Sequence, residues 1–337
     1  MHSTTPQSAQ IGPRDSLYTY LQDFVTSASD FNTSSPKFQM SALDADRSIY
    51  LCREISSGTV VVCKFFGRRC DLPRFECSKL LNHEFDCLNR LRVEGLDHAP
   101  LAVVRPLAKV EELGCLLAEE YVRGRSMDYY IQKAAHEGQG QRLVRKLNLL
   151  ADFFAKLHQS TSCRAASGFS RVANSFRCIV RELARGRVVG SAEVDDFFDL
   201  CDRWEALDAM WSERSCLVHG DATPTNFILH PQDGVTAIDL ERMHSGDPLY
   251  DIGMFAAELK HHFALRILDA QAAEPYIGQF YRRYCGAYSD SESRFRKMTF
   301  RSRFFMALGE LRIARNPWLP AEHRKWLVQE ARRCLLL

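Results

Sequence analysis

Long apolar runs are missing from this sequence. No stretch reaches about eighteen apolar residues, the length of a membrane-spanning helix, so we predict no membrane span. Residues 1–14 contain no apolar run either, and we therefore expect no secretory signal peptide and a cytoplasmic protein. The net charge of +2 favours no class of partner, and we expect no nucleic-acid ligand.

Paired cysteines are also missing. The twelve cysteines are dispersed, without a single C-x-x-C pair, and several interrupt apolar runs, as Cys63 and Cys115 do. Dispersed cysteines in a chain without a signal peptide favour reduced thiols in the core of a cytosolic protein. A zinc site or a nucleophilic cysteine is the less favoured alternative.

The N-terminal third predicts a short helix followed by strands. Residues 1 to about 14 are polar, and we predict disorder there, followed by a helix over 15–25 with one apolar face. The pattern then becomes extended, with predicted strands at 38–43, 49–55 and 59–66. The connection 44–48 contains no glycine, so backbone amides there approach a ligand less freely.

Lys64 stands inside an apolar strand. A buried lysine is costly unless it has an anionic partner. The helix predicted over 74–91 offers Glu84, which shares a face with leucines, whereas Glu76 lies near the helix start and can complement the helix dipole instead. The alternative for Lys64 is a lysine at a strand edge, in contact with solvent.

Polar side chains follow short apolar strands within 216–239. Asp221, Asn226 and Asp239 each stand in or after such a strand–loop segment, and all three supply oxygen atoms. Side chains at strand ends are held on a rigid base and presented to ligands. Two carboxylates and an amide suit a hard divalent cation such as Mg²⁺.

The spacing of these residues is more specific than their chemistry. His219-Gly220-Asp221 is followed by Asn226, and Ile238-Asp239-Leu240-Glu241 and the segment 246–253, GDPLYDIG, come next. This order resembles the aminoglycoside phosphotransferase and choline kinase family, whose motifs read H-G-D-x-x-x-x-N and I-D-[FWL]-E. The alternative is an ordinary strand–turn–strand with surface acids.

The resemblance is specific over about 216–255 and weaker, but in order, over 38–127. It implies an α+β, two-lobed protein-kinase-like fold, in which a small N-terminal lobe has an antiparallel sheet plus a helix and a larger C-terminal lobe is mostly helical. The implied division is an N-terminal extension, partly disordered and then helical, at 1–37, an N-lobe at 38–118, a hinge at 119–125 and a C-lobe at 126–337.

The resemblance also implies catalytic roles. Asp221 would accept the proton of the acceptor hydroxyl, and Asn226 and Asp239 would hold Mg²⁺. Lys64, fixed by Glu84, would position the phosphates of ATP.

The resemblance also implies supporting roles for further residues. Ser48 would donate to a phosphate through its hydroxyl, and the Glu120 carbonyl and the Val122 amide would bind adenine. His219 would brace the catalytic loop by hydrogen bonding, and Asp251 would bind the backbone of that loop. Both of these are structural roles.

The implied function is ATP- and Mg²⁺-dependent transfer of the γ-phosphate to a hydroxyl of a small molecule. Glu241 stands where protein kinases carry the glycine of D-F-G, which favours this small-molecule branch, and it would assist at the metal. The glycine-free connection favours a different hypothesis, a catalytically weak kinase-like nucleotide-binding protein. A third hypothesis replaces the acceptor by a protein, a lipid or a lipopolysaccharide.

The C-terminal region is basic. Residues 286–337 contain eleven Lys and Arg against five Asp and Glu. Such a surface is most often a solvated helix face, and its functional alternative is attraction for an anionic substrate, a membrane surface or nucleic acid. An anionic acceptor would fit, whereas a polycationic aminoglycoside would favour acids. The sequence leaves the oligomeric state open.

Overall fold

The computed structural model describes residues 8–28, 35–44, 46, 48–68 and 72–336. The chain divides into two compact units. Unit 1 comprises Met1–His98, Ala102–Arg123 and Asp239–Glu241, and unit 2 comprises Ala99–Leu101, Gly124–Ile238 and Arg242–Leu337. The short segment Asp239–Glu241 therefore belongs to unit 1, although the sequence-based division placed it in the C-lobe.

The elements follow in chain order. The strands are β1 Ser8–Ile11, β2 Phe38–Ala42, β3 Ile49–Glu54, β4 Val60–Phe65, β5 Asp97–His98, β6 Leu101–Val103, β7 Pro106–Val110, β8 Leu116–Glu120, β9 Arg125–Ser126, β10 Cys216–Val218, β11 Phe227–Leu229, β12 Val235–Ala237 and β13 His244–Gly246. The helices are α1 Ser16–Ala28, α2 Arg74–Val93, α3 Met127–Glu137, α4 Gly140–Ser160, α5 Phe169–Arg185, α6 Ser191–Glu205, α7 Leu249–Ile267, α8 Glu274–Gly286, α9 Ser291–Ala314 and α10 Ala321–Leu335.

Unit 1 is built on an antiparallel sheet with the strand order β1-β2-β3-β4-β8-β7. The β-branched residues of β4 suit an interior strand, where they pack well on a pleated surface. On β4, Lys64 lies opposite Ile49 of β3 and Leu117 of β8. Lys64 is therefore paired on both sides, and the alternative of a lysine at a strand edge is wrong.

The N-terminal segment is part of this sheet and of its core. The prediction of disorder is wrong for residues 8–11, which form β1 and pair with β2, while residues 1–7 lie outside the described part of the chain. An edge strand forms through its backbone N–H and C=O groups and needs no long apolar run, which is why composition missed it. Leu17, Leu21 and Phe24 of α1 are buried in the core of unit 1.

Unit 2 is mostly helical. On α4, Leu147, Leu150 and Phe154 are fully buried and mark the face that packs into the core. Close packing of α7 on α9 depends on Gly253, because a Cβ atom there would lie 2.4 Å from the Cβ of Phe305. The loop-bearing strands form a β11–β12 hairpin and a β10–β13 pair.

Two further expectations concern the whole chain. None of the described helices is long and apolar enough to cross a membrane. The eleven described cysteines are free thiols, seven of them buried, as the dispersed pattern predicts, and Cys70 lies outside the described residues.

Candidate active site

A buried lysine in unit 1 binds three carboxylates. Lys64 Nζ donates to Glu84 Oε2 at 2.7 Å and to Asp239 Oδ1 at 2.5 Å, and lies 3.3 Å from Glu241 Oε2. The Lys64 side chain is only 4% exposed. Burial lowers the pKa of Lys64, but the surrounding carboxylates outweigh it and raise the pKa above its usual value. The predicted Lys64–Glu84 ion pair is confirmed, and Asp239 shares the same lysine.

Glu84 also binds the backbone that follows Asp239. Its Oε1 accepts a hydrogen bond from the Leu240 N–H at 3.0 Å, while its Oε2 accepts one from Lys64. Both carboxylate oxygens are thus used, which suits an acid that is fully buried on α2. Asp239 itself has φ +63°, a left-handed conformation that turns the chain sharply after Ile238.

The carboxylates of this cluster fit a divalent cation. Glu84, Asp239 and Glu241 each offer an oxygen, and these oxygens lie within 4.8 Å of one another. With the single ammonium of Lys64 among three carboxylates, the cluster has an excess of negative charge. Hard oxygen donors with excess negative charge match the preference of Mg²⁺.

The catalytic-type loop of unit 2 is held by a buried carboxylate. Asp251 Oδ2 accepts from the His219 N–H at 2.7 Å, and its Oδ1 accepts from the Gly220 N–H at 3.0 Å. The side chain of His219 donates through Nε2 to the Ile238 carbonyl at 3.1 Å and accepts at Nδ1 from the Asp221 N–H at 3.3 Å. Both the bracing contacts predicted for His219 and the backbone contacts predicted for Asp251 are present.

A second histidine completes the support. His158 Nε2 lies 3.1 Å from Asp251 Oδ2, and its Nδ1 lies 3.0 Å from the Tyr284 hydroxyl. Burial opposes ionisation of Asp251, but these hydrogen bonds and the neighbouring histidines together hold its pKa below the usual value. Asp251 is therefore a buried, ionised anchor for the loop.

Gly220 allows the loop to pass close to its neighbour. It has φ +78°, and a Cβ atom there would lie 2.1 Å from the Arg242 carbonyl oxygen. Only glycine combines this conformation with that contact. The loop consequently turns at Gly220 and presents Asp221.

Asp221 and Asn226 lie together in unit 2. Asn226 is buried, and its Nδ2 donates to the Asp221 carbonyl at 3.0 Å, so the amide oxygen is the atom left to ligate a cation. The Asp221 carboxylate is 16% exposed. Asp239 belongs to unit 1. The joint role of Asn226 and Asp239 as metal ligands therefore stays a prediction.

Two arginines beside Asp221 were missed by sequence reasoning. Arg312 Nη2 donates to Asp221 Oδ1 at 2.5 Å, and Arg242 Nε lies 3.7 Å from Asp221 Oδ2. The basic composition of 286–337 was a signal for Arg312, but nothing in the spacing connects that region to the loop. Arg242 gave a closer signal, since it directly follows the I-D-L-E motif.

The glycine-free connection after β2 is organised by an aspartate. Asp44 accepts hydrogen bonds from the Ser48 hydroxyl at 2.5 Å, the Ser48 N–H at 3.0 Å and the Ile49 N–H at 2.9 Å. Although burial opposes the shift, these bonds lower the pKa of Asp44. The Ser48 hydroxyl is buried against Asp44, and its contact with a phosphate stays a prediction. Ala45 and Arg47 lie outside the described residues.

The predicted adenine-binding residues follow β8. Glu120 ends the strand, and its side-chain Oε1 accepts a hydrogen bond from the Arg105 N–H at 3.1 Å. Val122 lies two residues further on. The contacts of both residues with adenine stay predictions. Glu119, which no sequence motif singles out, is buried, and its Oε1 has no hydrogen-bond partner among the described residues. Burial raises the pKa of Glu119 to about 8. An acid at the end of an apolar strand was the available signal.

Comparison of structures defines the class of fold. An ethanolamine kinase from Plasmodium vivax is 14% identical with a TM-score of 0.57, covering 95% of this chain and 87% of its own. The aminoglycoside phosphotransferase APH(2")-IIa, solved in a ternary complex with streptomycin and ATP, is 12% identical with a TM-score of 0.55, covering 97% and 100%. A choline kinase from Streptococcus pneumoniae is 17% identical with a TM-score of 0.50, covering 87% and 90%. The α+β, protein-kinase-like fold predicted from the sequence is thereby confirmed.

Comparison of sequences shows the family. No curated protein matches this chain. A family model described as the phosphotransferase enzyme family matches residues 58–294, well over half of the sequence. The chain belongs to this family of phosphotransferases.

Proposed function

We propose that this protein transfers the γ-phosphoryl group of ATP to a hydroxyl group of a small molecule, in a reaction that requires Mg²⁺. The observation that carries the proposal is the carboxylate of Asp221, presented by a loop that buried Asp251 anchors, in a chain of the phosphotransferase family. Phosphoryl transfer depends on positioning and on charge stabilisation rather than on covalent work by the protein.

Asp221 orients the acceptor in this mechanism. Its carboxylate accepts a hydrogen bond from the acceptor hydroxyl and takes the proton as the hydroxyl oxygen bonds to the γ-phosphorus. The bond between the γ-phosphorus and the oxygen it shares with the β-phosphate breaks, and ADP leaves with that electron pair. The Asp221 side chain is only partly exposed, which restricts the directions from which an acceptor can approach it.

The Lys64, Glu84, Asp239 and Glu241 cluster in unit 1 binds the phosphoryl donor, ATP. Lys64, positioned by Glu84, would bind the α- and β-phosphates, while Asp239 and Asn226 would hold Mg²⁺, with Glu241 assisting. When bound, Mg²⁺ would supply positive charge that offsets the negative charge developing on the phosphates. Ser48 would donate to a phosphate in place of Asp44, and the Glu120 carbonyl and the Val122 amide would bind adenine.

The test is a search for the phosphorylated product. Purified protein is incubated with ATP, Mg²⁺ and pooled hydroxyl compounds, and mass spectrometry identifies any compound that gains a phosphate. Asp221→Asn should lower the rate by about 10²–10⁴-fold, the usual contribution of a positioned base, while ATP affinity stays nearly unchanged. Wild-type turnover by this variant on the true acceptor would refute the role of Asp221.

The same experiment separates the alternatives. Nucleotide binding without phosphate gain in any pool would favour a catalytically weak nucleotide-binding protein, which the glycine-free connection 44–48 suggested. Phosphate gain only on added protein, lipid or lipopolysaccharide would change the acceptor class. Nucleotide binding that ignored Mg²⁺ and survived Asp239→Ala would remove the metal role.

A further inference from the structure

A large cationic pocket lies wholly within unit 2. Its volume is about 750 Å³, within the range of small-molecule sites. Its charged lining consists of four arginines and one carboxylate: Arg171, Arg242, Arg312, Arg315 and Glu182. We refer to this cavity, defined by these five residues, as the arginine pocket.

The arginine pocket lies next to Asp221, the residue that binds the acceptor hydroxyl in the proposed function. Gly220, the neighbour of Asp221, lines the pocket. Arg312 and Arg242 also contact the Asp221 carboxylate, at 2.5 Å and 3.7 Å. Since the proposed function places the acceptor hydroxyl at Asp221, the body of the acceptor occupies this pocket.

The carboxylates at the pocket neutralise only two of its four arginines. Glu182 is bound by Arg315, whose Nη1 lies 2.5 Å from Oε2, and Asp221 is bound by Arg312. Arg171 is exposed and has no carboxylate partner within the described ranges, and Arg242 approaches Asp221 only at 3.7 Å. Two guanidinium groups, on Arg171 and Arg242, are therefore left without a close counter-charge.

Unneutralised guanidinium groups select for anions. A guanidinium presents a planar set of donors that matches carboxylate or phosphate oxygens in pairs, and it is always charged. An ammonium group in the same pocket would meet four guanidinium groups and find both nearby carboxylates already bound. Like-charge contacts of this kind disfavour a cationic acceptor.

We propose that the acceptor is an anionic hydroxyl compound of small-molecule size, bearing a carboxylate or phosphate group that Arg171 and Arg242 bind while its hydroxyl faces Asp221. This inference rests on the proposed function and narrows it to a substrate class. The anionic group is a handle and is unchanged by the reaction, in which the hydroxyl oxygen gains the phosphoryl group, ADP leaves and the proton passes to Asp221.

The experiment uses the full chain with ATP, Mg²⁺ and four separate pools of hydroxyl compounds: hydroxy acids, sugar phosphates, neutral sugars and polyols, and cationic amino sugars with choline. Product is identified by its mass. Phosphate gain confined to the hydroxy acids or to the sugar phosphates supports the inference. Which of the two pools reacts shows whether the arginines bind a carboxylate or a phosphate group of the acceptor. Preferred transfer to a neutral or cationic compound overturns it while leaving the proposed function standing. Transfer to no pool at all refutes the proposed function and the inference with it.

A matched pair of variants tests the binding residues. Arg171→Glu should lower kcat/KM for the anionic acceptor by at least about 30-fold, since an attractive charge becomes repulsive, with the KM for ATP unchanged. Arg185→Glu, an exposed arginine on the same helix α5 but outside the pocket lining, is the control and should retain wild-type kcat/KM. Equal losses in both variants, or no loss in Arg171→Glu, would overturn the assignment.

Discussion

Arg312 Nη2 donates to Asp221 Oδ1 at 2.5 Å, across ninety-one residues of sequence. The Arg312 guanidinium also reaches the Gly220 carbonyl at 3.4 Å, so one side chain near the end of α9 contacts two neighbouring residues of the loop. Each of the two charged side chains is about one-seventh exposed, at 14% and 16%. The carboxylate proposed to accept a proton is therefore held in one orientation by a residue that no loop motif contains.

Removal of Arg312 should weaken catalysis. In Arg312→Ala the Asp221 carboxylate loses its closest cation and its fixed orientation, and we expect kcat at saturating acceptor to fall by about 10–100-fold. Arg312→Lys keeps the charge without the planar fork and should recover part of the loss. Arg296→Ala, on the exposed face of the same helix, is the control. Wild-type kcat in Arg312→Ala would show that Asp221 needs no such support.

Gly220→Ala should cost more than its backbone conformation alone. A positive φ costs an alanine about 1–2 kcal/mol, and at Gly220 a Cβ atom would also lie 2.1 Å from the Arg242 carbonyl oxygen. Gly138→Ala is the matched control, because it has φ +66° but no neighbour within 4 Å. We expect urea unfolding to show the larger loss for Gly220→Ala, which should also lose activity. Equal losses would mean that the loop shifts without cost.

Asp251→Asn should destabilise the protein and release the loop. An asparagine has one acceptor oxygen where Asp251 accepts at two, so a buried donor is left unpaired, at a cost of about 2–4 kcal/mol. The pKa of Asp251 is lowered from 3.8 in the folded protein. The stabilisation by its charge is therefore present above pH 3.8 and is lost as the pH falls below 3.8 through the lowered pKa. The difference in free energy of unfolding between wild type and variant should therefore shrink in strong acid.

Urea unfolding at pH 7 and at progressively lower pH measures this difference. Asp195→Asn, an exposed acid on α6, is the control and should change the free energy of unfolding by less than about 0.5 kcal/mol. A loss of similar size in both variants would contradict the anchoring role of Asp251.

Two neighbouring histidines of α7 should make the protein sensitive to acid. Burial, aided by nearby positive charge, lowers the pKa of His261 and of His262 from 6.5 to about 3. Between these pH values the unfolded state binds protons that the folded state does not, so the free energy of unfolding should fall as the pH falls from 6.5 towards 3. The slope should reach about 1.4 kcal/mol per pH unit for each histidine.

Urea titrations from pH 7 to pH 4 test this slope. His261→Gln should reduce the slope of the free energy of unfolding against pH by the contribution of one histidine. His136→Gln, at an exposed histidine, is the control and should leave the slope unchanged. An unchanged slope in His261→Gln would mean that other groups set the acid sensitivity.

Local patterns predicted most of the elements and the residues that carry the proposed chemistry. Alternating apolar residues indicated β2, β3 and β4, and the spacing of Asp221, Asn226 and Asp239 indicated the loop. Periodicity failed at β1, which pairs through backbone atoms rather than through apolar side chains.

The sequence by itself determined the kinase-like order of elements and the His219–Asn226 loop, because both depend on short-range spacing. It also determined the partnership of Lys64 with Glu84, because a buried charge needs a counter-charge. Only the tertiary structure decided which arginines stand at Asp221. Arg312 reaches the loop through the packing of α9 on α7, and contacts between residues far apart in sequence depend on how helices pack rather than on any local pattern. The charge of the acceptor site, and with it the class of substrate we propose, follows from that packing.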